Sequence, residues 1–164
     1  MEYIDIEFYK SLYGEIDAIR FNRLSFEACW VIDRHTTGAD GVKKLRIAFP
    51  TEEYDAELVK RCAANILNYL SLIEDAERAV SASRGYEETA EGLRRKIVSR
   101  IESGNEAISY SEVPSTITTS TDKAAADRGE REKLLANVVR EYLSGVKDSN
   151  GVNLLYMGPY PYRV

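Results

Sequence analysis

The side chains that could do chemistry in this sequence are few. The single histidine, His35, follows Asp33 at a spacing of two residues. On a helix that spacing puts the two side chains on different faces, so the carboxylate cannot orient the imidazole ring. Cys29 and Cys62 are far apart and form no Cys-x-x-Cys motif, so the spacing of a typical zinc site is missing. We therefore predict no catalytic residue, no metal and no cofactor.

Each of these residues has a structural interpretation instead. His35 falls at the end of a predicted helix, where it can interact with the C-terminal end of the helix dipole. Cys29 and Cys62 each fall on the apolar stripe of a predicted helix, so we interpret them as small buried hydrophobic residues. Acidic pairs such as Glu52-Glu53 fall where helices begin or on polar faces. The turn at residues 38–41 lacks the Lys-Ser/Thr that completes a phosphate-binding loop.

One basic cluster remains to be interpreted. It is formed by Arg94, Arg95, Lys96 and Arg100. A surface that stacks nucleic-acid bases is expected to carry aromatic residues among its charges, and none is interleaved here. Two interpretations stay open: a solvated helix face, or a contact with acidic residues of an adjacent subunit. We take Arg94, Arg95 and Arg100 as candidate subunit-interface residues.

The last residues of the chain form an apolar and aromatic tail. The preceding helix is predicted to end at Gly145, and Pro159 and Pro161 rule out a further helix. Such a tail either packs on its own domain or docks on another protein. Prolines favour an extended segment that loses little entropy on binding, so we expect docking. The predicted partner-binding residues are Leu154, Leu155, Tyr156, Met157, Pro159, Tyr160 and Tyr162.

Helical periodicity dominates the rest of the chain. Apolar residues recur at spacings of three and four along residues 17–36, 55–80 and 123–144. The same spacing occurs more briefly at residues 5–13 and 87–101. The long segment 55–80 is the most regular of these, so we expect it to be the central helix.

Two segments depart from helical periodicity. Residues 42–49 alternate between apolar and polar, which predicts a short strand or an extended loop. Residues 106–121 alternate around Pro114 and contain many threonines, which predicts a β-hairpin or a long loop. The expected fold class is therefore all-α: a small helical bundle with a long central helix, one extended arm or β-hairpin at about residues 105–122, and an extended C-terminal tail. We expect a helical domain at 1–145 and a docking tail at 146–164.

Composition narrows the function classes. The 164 residues suit one domain, and the formal net charge of −5 argues against a protein that grips nucleic acid through its phosphates. No apolar run is long enough to span a bilayer, so we expect no membrane association. The N-terminus opens with acidic residues and lacks a basic region, so we expect no signal peptide and a cytoplasm-like, reducing compartment.

Several blocks of the sequence, taken in order, resemble the head–tail connector proteins of tailed bacteriophages and prophages, also called adaptor or head-completion proteins. The resemblance spans nearly the whole chain and depends on order and spacing, because no single motif is diagnostic. Members of that family are often shorter. Here residues 84–104 look like an added or extended helix, and the insertion between residues 145 and 154 looks longer than usual. The blocks that carry it are residues 8–14, 21–28, 31–36, 108–112, 140–145 and 154–156, together with the long central helix.

The resemblance implies a structural virion protein without catalytic activity. Such proteins form a ring of about twelve copies under the portal protein. The ring extends the DNA channel and offers a surface to a stopper or tail-completion protein. DNA passes through the channel without specific binding. The acidic net charge of this chain agrees with such a lumen. The expected location is the virion connector, and the host cytoplasm during assembly.

Two other function classes stay open. The first is a small helical regulatory or protein-binding module, which would use the same tail in one or two copies. Ring formation on a portal would indicate a connector and not such a module. An enzyme built on an acidic site would show clustered, buried carboxylates in a pocket and would bind a metal.

Overall fold

The structure is a computed structural model that describes residues 3–82, 86–89, 92–102, 107–112 and 119–162, with side chains described at 3–78 and 119–162. These parts of the chain contain six helices and three strands. The helices are α1 (Ile6–Tyr13), α2 (Ala18–Thr36), α3 (Lys44–Ile47), α4 (Glu53–Ala82), α5 (Ser120–Ala126) and α6 (Arg128–Leu143). The strands are β1 (Tyr86–Thr89), β2 (Gly92–Glu102) and β3 (Ala107–Glu112).

Aspartates fix the beginnings of the first two helices. Asp5 caps α1 by accepting a hydrogen bond of 2.8 Å from the backbone N–H of Phe8. Asp17 caps α2 in the same way, with two backbone N–H groups of the first turn at 3.0 Å. These caps satisfy N–H groups that have no partner inside the helix. Gly14 ends α1 with a φ of 88°, a backbone conformation that favours glycine.

The long helix α4 is the centre of the bundle. It packs against α1, α2, α5 and α6, and its apolar stripe is almost completely buried. The core also includes side chains from α2, α6 and the residues after α6. This arrangement confirms the predicted all-α bundle with a long central helix. Its fully buried large apolar residues include Leu24, Ile32, Leu45, Val59, Ile66, Leu67, Val139, Leu143 and Leu154.

The three strands form an antiparallel sheet in the order β1-β2-β3. Glu87 lies opposite Arg94, and Val98 lies opposite Tyr110. The register shifts between Val98 and Arg100. The predicted helix at residues 87–101 is therefore wrong, because β-branched residues at this position fit a paired strand and the ladder satisfies the backbone groups.

Two further predictions need correction. Residues 44–47 form helix α3 rather than a strand or loop, because Lys44 and Leu45 are both buried and consecutive residues of a strand would face opposite sides. The predicted helix at residues 123–144 is two helices that meet at Asp127. Its side chain caps α6 by accepting from the N–H of Glu130 at 2.9 Å, while its own N–H closes α5.

The predicted arm at about residues 105–122 is only partly covered. Strand β3 lies within it, and residues 113–118 lie outside the described residues. Thr119 is the N-cap of α5, where it forms a capping box with Asp122. The end of the predicted arm is thus helical. In the parts of the chain that the structure covers, no helix is long and apolar enough to cross a membrane.

Candidate functional site

Two loops of the same geometry position the C-terminal segment (residues 146–162), and the second of them is part of this segment. The first loop connects Thr37 to Lys43 and the second connects Lys147 to Asn153, and each pair forms an antiparallel bridge. Each loop has five residues, 38–42 in the first and 148–152 in the second. In both, the backbone N–H of the first residue donates to the carbonyl of the fifth, and the N–H of the fourth donates to the carbonyl of the first, over 2.9 to 3.2 Å. The fourth residue is a glycine with a φ of 78° or 77°. This geometry explains the Asp-Gly and Asn-Gly sequences at these turns.

Tyr160 joins the two loops. Its backbone N–H donates to the carboxylate of Asp40 in the first loop at 2.8 Å. Its hydroxyl donates to the carboxylate of Asp148 in the second loop at 2.6 Å and accepts from the amide of Asn150 at 2.9 Å. The ring is buried, with 3% of its surface exposed. Because a buried polar group without a partner is costly, these bonds fix the position of the segment.

A buried lysine holds the middle of the same segment. The Lys44 ammonium donates to the backbone carbonyls of Leu154, at 2.8 Å, and of Tyr156. The carbonyl of Asn153 lies at 3.4 Å. A fully buried lysine is rare unless it is paired, and here backbone carbonyls take the place of a carboxylate.

Burial and charge act in opposite directions on this lysine. Removal from water lowers the pKa of Lys44, while the negative charges of Asp148 and Asp40 raise it. Burial also raises the pKa of the Tyr160 hydroxyl, and the hydrogen bond to Asp148 acts in the same direction. Neither group is placed for proton transfer to a substrate, because both are enclosed by their own chain. Their arrangement positions a segment of the chain.

The structure separates the predicted partner-binding residues into two sets. Leu154 and Tyr160 are buried in the fold of their own chain, which corrects the expectation that their side chains contact a partner. They are inside because Leu154 belongs to the bundle core and the Tyr160 hydroxyl reaches the second loop. Leu155 is partly buried against the core. The exposed set, which we call the tail surface, consists of Tyr156, Met157, Pro159 and Tyr162.

The tail surface presents large side chains to solvent. The exposed fractions are 49% for Tyr156, 58% for Met157 and 54% for Tyr162. The ring of Tyr156 is 5.8 Å from the Lys44 ammonium, and the ring of Tyr162 packs edge-on against Tyr160 at 6.2 Å. Exposed aromatic side chains on a backbone held by buried contacts are well suited to binding another protein.

The other predicted residues fall elsewhere. Arg94, Arg95 and Arg100 lie in strand β2, and their side chains are outside the described residues. Cys29 and Cys62 are buried, as predicted, and burial raises the pKa of Cys62.

His35 is half-buried at the end of α2. Burial first, and the charges of Arg34 and Arg140 second, lower its pKa. Within the described residues no group of histidine, cysteine, aspartate and glutamate could hold a metal ion.

Asp33 anchors the N-terminus to α3. It accepts from the Tyr3 hydroxyl and from two nitrogens of Arg46, both at 2.8 Å. The guanidinium of Arg46 lies 5.5 Å from the Tyr3 ring centre, and Tyr3 stacks on Phe49. Asp33 is thus a buried structural residue that does not interact with His35.

Sequence reasoning missed Asp40, Lys44 and Asp148. The Asp-Gly-Val and Asn-Gly-Val sequences at residues 40–42 and 150–152 are turn signals that could have identified the two loops as a pair. Lys44 carried no signal, because nothing in its neighbourhood distinguishes a buried lysine from an exposed one.

Comparisons with known proteins add no relative. The sequence matches no protein-family model, no curated protein and no solved structure.

Proposed function

We propose that this protein is a head–tail connector of a tailed bacteriophage or prophage. It forms a ring under the portal protein, extends the DNA channel and links the head to a stopper or tail-completion protein. The order and spacing of the sequence blocks support the family, and the helical bundle agrees with the fold that the resemblance implies. The observation that carries the proposal is the tail surface, which is exposed although its backbone is firmly held.

The tail surface is the part of the chain that contacts the portal protein. Lys44 and Tyr160 hold its backbone, so the aromatic side chains are presented in one arrangement before binding. Preorganisation reduces the entropy lost on association. Tyrosine and methionine are enriched at protein interfaces, where they supply area and adaptable packing.

The other parts have proposed roles in the assembly. The segment around residues 105–122 is an arm that contacts neighbouring components, and Arg94, Arg95 and Arg100 pair with acidic residues of the next subunit. The acidic net charge of −5 lets DNA slide through the channel without sticking. The protein is located in the virion connector and, before assembly, in the host cytoplasm.

Side-chain truncation tests the tail surface. Tyr156→Ala with Met157→Ala should weaken binding to the portal protein at least tenfold while changing thermal stability little, because about half of each side chain is exposed. Leu72→Ala is the control, since Leu72 is exposed to a similar degree (45%) on α4. Binding is measured by surface plasmon resonance against the purified portal protein of the same phage. Equal binding by the tail variant and the control would contradict the proposal.

Removing the whole tail is a poorer test. Val146 and Leu154 are fully buried members of the bundle core, so a truncated chain would lose core packing as well as its binding residues. Loss of binding in such a variant would not distinguish unfolding from loss of a contact.

One observation favours a second function. The C-terminal segment is folded within a single copy of the chain, so a binding module would not need a ring to present the tail surface. In that case the protein recruits a host or phage protein in one or two copies. Capture of a non-virion protein at a stoichiometry of one to one would favour this alternative.

A further inference from the structure

A second exposed surface lies on α2, away from the C-terminal segment. Ile19, Phe26 and Trp30 share one face of the helix, and their exposed fractions are 80%, 72% and 54%. Together they present roughly 400–500 Å² of apolar area, which is as large as the largest patch of a typical monomer. Arg34 extends this face, with its guanidinium 5.7 Å from the Trp30 ring centre. We call Phe26, Trp30 and Arg34 the α2 ridge.

The charges around this ridge fit a protein better than a nucleic acid. Arg20 is bound to Asp75 at 2.7 Å, and Arg23 forms a two-pronged ion pair with Glu74. These arginines are already neutralised by their own chain, so they do not form a free basic surface for phosphates. Arg34 is held less firmly, because its ion pair with Glu132 is longer, at 3.7 Å, and both side chains are half exposed, so this pair contributes little.

The chain also carries a surface of complementary character. Glu53 and Tyr54 begin α4 and Glu52 precedes them; all three are exposed, Tyr54 to 72%. Among the ion pairs of the described side chains, none involves Glu52 or Glu53. Beside them is an open polar cleft of about 410 Å³ that runs from Thr51 to the second loop. We call Glu52, Glu53 and Tyr54 the acidic patch.

We propose that the α2 ridge of one copy docks on the acidic patch of a second copy of this chain. Phe26 and Trp30 pack against Tyr54, and Arg34 pairs with the two glutamates. The two surfaces differ, so the contact is head-to-tail and repeats from copy to copy, closing into a ring when the rotation allows it. This inference deepens the proposed function. Only the closure of the contact into a ring rests on that function, and the contact between two copies does not.

The size of the surfaces agrees with this occupant. A specific interface buries about 800 Å² on each partner. The apolar face of α2 supplies roughly half of that area, and the surrounding charged side chains supply a polar rim. The residues that contribute most binding energy to an interface are enriched in tryptophan, tyrosine and arginine, and the α2 ridge contains two aromatic residues and an arginine.

Cross-linking tests the contact directly. Glu27 lies beside the α2 ridge and Thr51 lies beside the acidic patch, and both residues are exposed. A cysteine is introduced at each position, as Glu27→Cys and Thr51→Cys. The native Cys29 and Cys62 are buried, so they do not react. The full-length double variant is prepared with ¹⁴N and with ¹⁵N, mixed at about 1 mM, where even an interface with a millimolar Kd is substantially populated. A short bis-maleimide then joins cysteines that lie close together, and mass spectrometry identifies the peptides.

The proposal predicts cross-linked peptides in which position 27 of one isotope is joined to position 51 of the other. No mixed-isotope cross-link would overturn it, and so would a product in which position 27 pairs mainly with itself. Cross-links within one isotope alone would place the two surfaces together inside a single copy, which also overturns it.

Charge reversal gives an independent test with a rescue. Arg34→Glu should weaken self-association about tenfold, as measured by sedimentation velocity of the full chain. Combining Arg34→Glu with Glu53→Arg should restore most of it, because the reversed pair then forms at every contact although Glu52 keeps its charge. Arg128→Glu is the matched control, since Arg128 also lies close to Glu132 (3.5 Å) but is not on the ridge.

The outcomes separate this inference from the proposed function. Self-association that is lost in Arg34→Glu and regained in the double variant supports the contact whether or not a portal protein is bound. Portal binding without any self-association overturns the contact and leaves the docking role of the tail surface intact. A rescue that fails while both variants remain folded also overturns the contact.

Discussion

Replacing Lys44 by methionine should loosen the C-terminal segment. The Lys44 ammonium bonds to the carbonyls of Leu154, at 2.8 Å, and Tyr156, and lies 3.4 Å from the carbonyl of Asn153. A methionine side chain fills a similar volume but donates no hydrogen bond. The substitution therefore leaves buried backbone carbonyls without a donor and removes the positive charge near Asp40 and Asp148.

The magnitude follows from the two close bonds. A hydrogen bond to a charged group contributes about 1.5–3 kcal/mol, so the gross loss is about 3–6 kcal/mol. Part of this is offset because an ammonium group no longer has to be removed from water. We expect a net decrease of about 3 kcal/mol in the free energy of unfolding, which for a chain of this size lowers Tm by about 6–12 °C.

The assay is urea denaturation followed by circular dichroism, with limited proteolysis read by mass spectrometry. Lys43→Met is the matched control, because the neighbouring Lys43 is exposed and its side chain does not cap α3. We expect Lys44→Met to be cleaved first within residues 146–162 and the control to behave like the wild-type chain. Equal stability of the two variants, within about 0.5 kcal/mol, would refute the reasoning.

Three further predictions concern the same fold. Tyr160→Phe should lower the free energy of unfolding by about 1–2 kcal/mol, measured in urea, because Asp148 loses its hydroxyl donor; Tyr162→Phe, at an exposed ring, should change it by less than about 0.5 kcal/mol. Gly38→Ala should destabilise the chain and speed proteolysis of the C-terminal segment, because the added methyl group would lie 2.9 Å from a carbonyl oxygen of that segment; a neutral effect would contradict the close packing. The pKa of His35 is lowered in the folded chain, so the unfolded chain binds a proton first as the pH falls below about 6.5. The free energy of unfolding should therefore decrease as the pH falls through that range. His35→Gln should abolish this slope between about pH 6.5 and 5, and an unchanged slope would refute the assignment.

Periodicity predicted the parts of the fold that are amphipathic over several turns. The apolar stripe of α4 and the aspartate caps of α1 and α2 are local features that the sequence shows directly. The core positions of these helices followed from the same spacing. Cys62 is an example, because its position on the stripe of α4 predicted its burial.

Short apolar segments were harder to predict. Residues 44–47 alternate in hydrophobicity like a strand, yet they form a single helical turn in which Lys44 and Leu45 are both buried, with Lys44 bound to the C-terminal segment more than 100 residues later. Residues 87–101 have helical spacing, but their described residues pair as strands β1 and β2 with the neighbouring strands of the same sheet. In both cases contacts outside the segment itself override its local pattern of hydrophobicity.

The candidate site was predictable in part. The aromatic composition of the tail indicated a binding segment, and Tyr156, Met157 and Tyr162 are indeed exposed. The sequence alone could not separate them from Tyr160, whose burial depends on Asp40 and Asp148 in two separate loops. A partner-binding set derived from composition therefore included residues that hold the segment in place.

The paired loops give the C-terminal segment its particular character. Its backbone is held by the Lys44 ammonium and the Asp40 carboxylate, and Asp148 holds the hydroxyl of Tyr160, while the side chains of the tail surface remain in solvent. A segment held in this way can bind without first becoming ordered, so association does not include the entropy cost of folding the tail. This separates the residues that hold the segment from those that contact a partner.

The most direct test of the connector function is to purify the tagged full-length protein from cells that produce phage particles and to image the complexes by cryo-electron microscopy. The account predicts portal protein among the co-purifying proteins, identified by mass spectrometry. It also predicts a ring of this chain beneath the portal, with the tail surface at the contact. Purification of single copies bound to a protein that is absent from virions would contradict it.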